Sequence, residues 1–262
     1  MLRIAKLSHA YGLRTVLNGV GMTLEAGRSL ALVGPSGCGK TTLLHLCAGL
    51  LALQDGVLEN GFAQTSIMFQ QPRLLPWKTT RDNIVLGLKA LGADCAERLA
   101  QAEAMAQAVG LDSVALEQFP HQLSGGMQSR VALLRALVVQ PQLLLMDEPF
   151  SALDIGLRAQ LHRLLLDYQR ANAVAVLMIT HDLMEAVRLA DTLMVMASDP
   201  GRIVHVFELE LPALERDEAY VHHQTARLLA EPAVRDSFGL SPLHGAKQGA
   251  RISCHGQGSL AC

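Results

Sequence analysis

The run SLALVGPSGCGKTT, residues 29–42, decides the fold. Ser29–Val33 is a short apolar run that ends in a glycine-rich turn, and residues 42–50 then read as a helix. Gly34 and Gly39-Lys40-Thr41 fit G-x-x-x-x-G-K-[ST], with the strand before and the helix after that give this pattern its meaning. Glycines let backbone N–H groups close around phosphate oxygens where a Cβ would block the approach. The helix N-terminus adds its positive dipole end. Gly34, Pro35, Ser36, Gly37, Cys38, Gly39, Lys40, Thr41 and Thr42 are therefore candidate phosphate-binding residues. Lys40 is expected to reach the β- and γ-phosphates and Thr41 to place its hydroxyl on Mg²⁺. Cys38 reads as a small filler of the loop, not as a reactive thiol.

Outward from this loop, Leu143–Met146 and Val174–Thr180 read as two further buried strands. Leu157, Leu161, Leu164, Leu165 and Tyr168 recur at helical spacing between them, and another helical pattern begins near Asp182. Strands alternating with helices predict a parallel sheet covered on both faces. Residues 1–27 and 55–69 are glycine-punctuated with short β-like runs, and predict an antiparallel flap. Residues 82–118, rich in Ala, Leu, Gln and Glu, predict an inserted helical lobe. Residues 202–211 read as a strand and 216–232 as a helix. The last stretch, from His244 to Cys262, lacks periodicity and reads as a mobile tail. There is no internal repeat.

Composition bounds the function. The net charge is −2 with scattered Lys and Arg, and only 4% of residues are aromatic. A sequence-independent nucleic-acid binder would show a basic stripe and stacking platforms, so no nucleic-acid partner is expected. Five cysteines without a CxxC pair signal neither a disulfide framework nor a zinc knuckle. No apolar run approaches the roughly 18–20 residues that span a bilayer, and no secretory signal is visible, so a soluble chain in the cytoplasm is expected.

Asp147-Glu148 follows the buried strand 143–146 and so falls at the carboxyl edge of the sheet, where the phosphate loop also lies. Alone, such a pair is often a solvated turn. Beside a phosphate loop, Asp147 can hold the Mg²⁺ water shell and Glu148 can polarise a water for attack on the γ-phosphorus. His181 follows another buried strand. A lone histidine there is usually just a satisfied hydrogen-bonding residue, but at this edge it can hold water and Glu148 in register. Finally, Ser124 is a good N-cap to a helix whose apolar face is Met127, Val131, Leu134 and Val138. An ordinary capped helix would explain Ser124, but not the paired Gly125 and Gly126, which cost backbone entropy. Their bare N–H groups and the Ser124 hydroxyl can grip a second set of phosphate oxygens.

Taken together, these motifs resemble, in order, the ATP-binding subunit of an ABC transporter, over approximately residues 2–211. Gly34–Thr42 resembles the Walker A loop, Leu143–Asp147 Walker B, Leu123–Met127 the signature, and Ser151-Ala152-Leu153-Asp154 the D-loop. His181 matches the switch histidine, Gln70 the Q-loop glutamine, and Tyr11 the aromatic that stacks on adenine. The resemblance implies a P-loop α/β fold with a mainly parallel core, an antiparallel β flap and a helical subdomain inserted at about residues 82–140. It implies an ATP-binding domain over 1–215, followed by a C-terminal helix and tail over 216–262. It also implies ATP hydrolysis with Mg²⁺ held by Thr41, Gln70 and Asp147, and catalysis by Glu148, His181, Lys40 and Gln70. In this family two such domains pair head to tail, and the signature of one grips the γ-phosphate bound in the other. One set of motifs in this chain therefore implies a homodimer.

The runs FQQPRLLPWKTTRDNIVLGL (69–88), MDEPFSALD (146–154) and ITHDLMEAVRLAD (179–191) resemble importers of the nitrate, sulfonate and taurine group. These work with a separate membrane permease and a solute-binding protein, which implies a peripheral place on the cytoplasmic face of the membrane. Residues 72–77 (PRLLPW) suit docking on a permease helix, with Leu74, Leu75 and Trp77 as apolar anchor. The rival readings are an exporter subunit and a non-transport ABC ATPase acting on ribosomes or DNA. The missing second cassette and basic surface speak against the latter. Ser129 stands where many relatives have Gln or another long polar residue, and the stretch between Gly61 and Phe69 is shorter than in many of them. His222, His223, His244, His255, Cys254 and Cys262 lack the spacing of a metal site.

Overall fold

The computed structural model describes residues 1–92, 96–151 and 153–240. Its centre is a six-stranded sheet in the order β5-β6-β7-β3-β8-β9, made of Ser29–Val33 (β3), Thr65–Met68 (β5), Leu143–Asp147 (β6), Ala175–Thr180 (β7), Thr192–Ala197 (β8) and Arg202–Glu208 (β9). All neighbours are parallel except the β8–β9 hairpin at one edge. Period-two burial explains why these strands read as unbroken apolar runs. Leu30 and Leu32 of β3, Leu143 and Leu145 of β6, and Leu177 and Ile179 of β7 enter one core. Ala31, Val33, Leu144, Met146, Val176 and Met178 enter the other. With both faces covered, alternation disappears from the sequence.

One core lies beneath helix Lys40–Cys47 (α1) and a separate antiparallel sheet of Leu2–Tyr11 (β1), Arg14–Leu24 (β2) and Asp55–Asn60 (β4), ordered β2-β1-β4. The other lies beneath the helices Thr80–Ile84 (α2), Leu86–Ala90 (α3), Ala96–Ala108 (α4), Ser113–Glu117 (α5), Gly125–Leu137 (α6), Ile155–Asn172 (α7), Leu183–Leu189 (α8), Glu218–Ala230 (α9) and Pro232–Ser237 (α10).

Several sequence expectations change. Residues 65–68 do not belong to the flap: β5 is a parallel edge strand of the main sheet, paired with β6. The helix after the phosphate loop runs 40–47 and not 42–50, because Gly49 turns left-handed at φ 70° just beyond it. The strand β8 was not foreseen; TLMVMA gives no alternation because five of its six residues are buried. The strand expected over 202–211 stops at Glu208, and the helix expected over 216–232 is two helices divided at Pro232, which has no N–H to continue α9. The region 82–118 is helical in its described parts. The tail from 244, with His244, Cys254, His255 and Cys262, lies outside the described residues, as does Ala152 of the D-loop.

Candidate active site

Strand register gathers the chemistry at one edge. Val33 pairs with Thr180, Asp147 with Ile179, and Met68 with Met146. The residues that follow each strand, Gly34, Glu148, His181 and Gln70, therefore leave the sheet together. They open on a cleft of about 850 Å³ lined by Tyr11, Gly34, Pro35, Ser36, Gly37, Gly39, Lys40, Thr41, Thr42, Gln70, Glu148 and His181.

Backbone geometry explains the glycines of the loop. Gly39 caps α1 at φ 99°, and a Cβ there would meet Leu17 Cδ2 at 2.7 Å. At Gly34 a Cβ would collide with the carbonyl of Met196. Lys40 is buried; its Nζ donates to the carbonyls of Gly34 (2.8 Å) and Pro35 (2.9 Å) and lies 3.7 Å from Cys38 Sγ. Cys38 is buried behind the loop and is not among the residues that line the cleft; burial pushes its thiol up in pKa. The Thr41 hydroxyl donates to Asp147 Oδ1 at 3.4 Å. Burial holds the Asp147 carboxyl above its usual pKa, aided by the Glu148 charge, while Thr41, His45 and Lys40 pull it down.

Glu148 is the pivot. Its Oε2 accepts from Gln70 Nε2 at 3.1 Å and lies 3.2 Å from His181 Nδ1. Its backbone takes φ 44°, a region costly for a residue with a Cβ. The N–H of Glu148 donates to the carbonyl of Ile179, so β7 holds it in that turn at the end of β6. A strained residue fixed by the sheet and facing a cleft is a common signature of a working group.

Tyr11, half exposed, stands at the cleft mouth with its ring edge-on to buried His9 at 5.0 Å. The next strand, β2, is tied to the loop before β9 by backbone bonds from Asn18 N–H to the Gly201 carbonyl and from Gly201 N–H to the Val16 carbonyl. Sequence reasoning missed Arg14, Thr15, Val16, Asp199, Pro200 and Phe238, which also line the cleft. The first three follow Tyr11 closely enough to have been considered. The others arrive from β8–β9 and the end of α10 and carry no local signal.

Ser124, Gly125 and Gly126 do not line this cleft. Ser124 caps α6, its hydroxyl accepting from Met127 N–H at 3.3 Å, and the Ser129 hydroxyl donates to the Gly125 carbonyl at 3.1 Å. Gly126 is crowded from within the chain: a Cβ would meet Leu157 Cδ2 at 2.9 Å, so the Leu157 side chain would have to shift. Gly125 is not: a Cβ there meets nothing within 4 Å. Leu74 packs inward against the core, Leu75 is half-buried, and Trp77 is 70% exposed.

No group of three or more His, Cys, Asp or Glu among the described residues could hold a metal, and no helix among them is long and apolar enough to cross a membrane.

A parallel α/β sheet with a glycine loop, an acidic pair and a histidine at its carboxyl edge defines a P-loop ATPase. The family model described as ABC transporter matches residues 17–151, and the chain belongs to that family. Among curated proteins it is similar to the taurine import ATP-binding protein TauB of Escherichia coli and of Shigella sonnei. Each is 43% identical over 211 residues, covering 78% of this chain and 82% of the relative. Among solved structures it is similar to the dimeric bacterial ABC transporter cassette MJ0796, at TM-score 0.73 and 25% identity over 81% of this chain and all of that one. A post-hydrolysis dimer of the same cassette bound to ADP and Pi matches at TM-score 0.70 and 26% identity, with the same coverage.

Proposed function

We propose that this chain is the ATP-hydrolysing subunit of an importer for a small anionic solute such as taurine, another sulfonate or nitrate. It works as a head-to-tail homodimer on the cytoplasmic face of the membrane, beneath a separate permease fed by a solute-binding protein. The observation that carries the hydrolytic half is the Glu148 carboxylate, held between Gln70 and His181 on the wall of the cleft. The importer half is supported by the likeness to TauB and by the exposed Trp77 on the 72–77 segment.

In this reading the backbone of residues 34–42 cradles the triphosphate, Lys40 exchanges its carbonyl partners for β- and γ-phosphate oxygens, and Tyr11 stacks on adenine. Thr41 and Asp147 offer hard oxygens 3.4 Å apart, and Asp147 is a carboxyl whose ionised form burial disfavours, which a cation would offset, a fit for Mg²⁺. Together with the Gln70 side-chain oxygen these residues would hold the ion, which neutralises phosphate charge when bound. Glu148 accepts the proton of the attacking water, while His181 and Gln70 keep its carboxylate aimed. Ser124, Gly125 and Gly126 serve the nucleotide of the partner copy. Gly125 supports this, because nothing inside its own chain requires a bare backbone there.

The test is Glu148→Gln. It should retain ATP binding and lose hydrolysis by about two to three orders of magnitude, the scale of loss for a single positioned catalytic group. Unchanged turnover removes Glu148 from its role. Uptake of labelled taurine, alkanesulfonate and nitrate, compared between cells carrying the wild-type chain and Lys40→Ala, tests the solute class. Equal uptake of all three in both strains refutes it.

A further inference from the structure

The segment between Gln70 and α2 is stiffer than its loop character implies. Asn83 is fully buried on α2, and its side-chain oxygen accepts from Leu75 N–H at 2.7 Å. Its amide nitrogen reaches the carbonyls of Leu75, Lys78 and Thr79 at 3.0–3.2 Å. On the Gln70 side, the Arg73 guanidinium lies over the Phe69 ring at 4.3 Å. Residues 69–79 are therefore cross-tied into one piece with Gln70 at its near end.

That piece has a directional joint to α6. The Arg135 guanidinium donates from Nη1 to the Arg73 carbonyl at 2.9 Å and from Nη2 to the Pro72 carbonyl at 2.6 Å. Successive carbonyls of an extended chain point to opposite sides. For both to face one guanidinium the chain must kink, and Arg73 stands in the left-handed region at φ 43°. A planar fork fixes two acceptors at once, which apolar packing, being non-directional, does not. Pro72 is two residues from Gln70, which holds Glu148, while α6 begins at Gly125 behind the Ser124 cap.

We infer that Arg135 is a positioning residue joining the two halves of the hydrolytic machinery: it fastens the segment that carries Gln70 to the helix that presents Ser124 and Gly125. A displacement of α6 by a partner's nucleotide is thereby passed to Gln70 and Glu148 of its own chain, and the reverse. This rests on the proposal that the α6 N-terminus serves the partner's ATP.

The experiment uses differently tagged chains, co-purified as pairs. A Ser124→Arg chain paired with a Lys40→Ala chain contains one working site, built from the Gln70 side of the first and the α6 side of the second. Arg135→Lys, which keeps the charge but loses the fork, is then added to one chain or the other. Turnover is normalised to bound ATP, so that misfolded protein does not count, and ATP affinity of each single chain is measured separately. Both placements should lower turnover roughly ten- to hundredfold, the range for small misplacement of a catalytic group, with single-chain affinity unchanged. Arg135→Gln gives the same reading if the Lys variant does not purify. A loss from one placement only, or from neither, overturns the inference. An inactive parent pair is a different result: it overturns the composite site and this inference with it.

Discussion

Gly125 is the residue at which an ordinary helix cap and the proposed binding surface predict opposite outcomes. It opens α6, its φ is outside the left-handed region, and an added Cβ meets nothing within 4 Å. Judged by the single chain, Gly125→Ala should be harmless and stabilising by about 0.4–1 kcal/mol, because alanine restricts the unfolded chain. For a domain of this size that raises Tm by roughly 1–4 °C. Gly125→Asp should also fold, since a carboxylate in the first turn gains about 0.3–1 kcal/mol from the helix dipole. Function should go the opposite way. A carboxylate about 4 Å from a phosphate charge costs about 4 kcal/mol per charge pair at an effective dielectric of 20. That corresponds to a loss of roughly three powers of ten in turnover. Thermal melts, ATP binding by the single chain and steady-state ATPase at saturating Mg-ATP measure the three quantities. Normal turnover by the Asp variant would refute the reasoning, as would a loss of turnover that follows a matching loss of Tm.

Other consequences follow from the same geometry. Asp147→Asn should raise the Tm of the nucleotide-free protein at neutral pH while abolishing Mg²⁺-dependent hydrolysis. The folded carboxyl titrates above its ordinary value, so its ionised form opposes folding once the pH exceeds that window. The gain should vanish in melts below the usual carboxylate range, where both folded and unfolded wild-type chains are protonated there. For the same reason, apparent Mg²⁺ affinity of the wild type should weaken on acidification at a higher pH than an ordinary aspartate would give, as titration of ATPase rate against Mg²⁺ at each pH would show. Tyr11→Ala should raise KM for ATP by roughly 5- to 150-fold, from about 1–3 kcal/mol of base stacking, while Tyr11→Phe should not; steady-state kinetics distinguish them. Asn83→Ala strands the Leu75 N–H and the Lys78 carbonyl, while the Leu75 and Thr79 carbonyls keep backbone donors, and should cost about 2–4 kcal/mol by chemical denaturation.

Much of this site was legible because its chemistry sits at strand ends. Lys40, Glu148 and His181 each follow an apolar run, and a parallel sheet brings such positions to one edge whatever the loops do. The paired glycines at 125 and 126 were legible as unusual, but only packing divides them into one glycine pressed against the Leu157 side chain and one with open space beyond it. β8 was invisible because burial on both faces leaves TLMVMA without a period. β5, four residues long and half-buried, passed for part of the neighbouring flap. Long-range partners were beyond reach. Arg135 and the carbonyls of Pro72 and Arg73 lie more than sixty residues apart, and no spacing rule connects them. Asp199, Pro200 and Phe238 reach the cleft through topology alone.

Sedimentation of the Glu148→Gln chain, with and without Mg-ATP, tests the shared site most directly. Single chains should pair only when nucleotide is present, retaining two ATP per pair, and Gly125→Asp in the same background should keep them apart. Protein that stays single while saturated with Mg-ATP, or pairs as readily with Gly125→Asp, would contradict a nucleotide gripped from both sides.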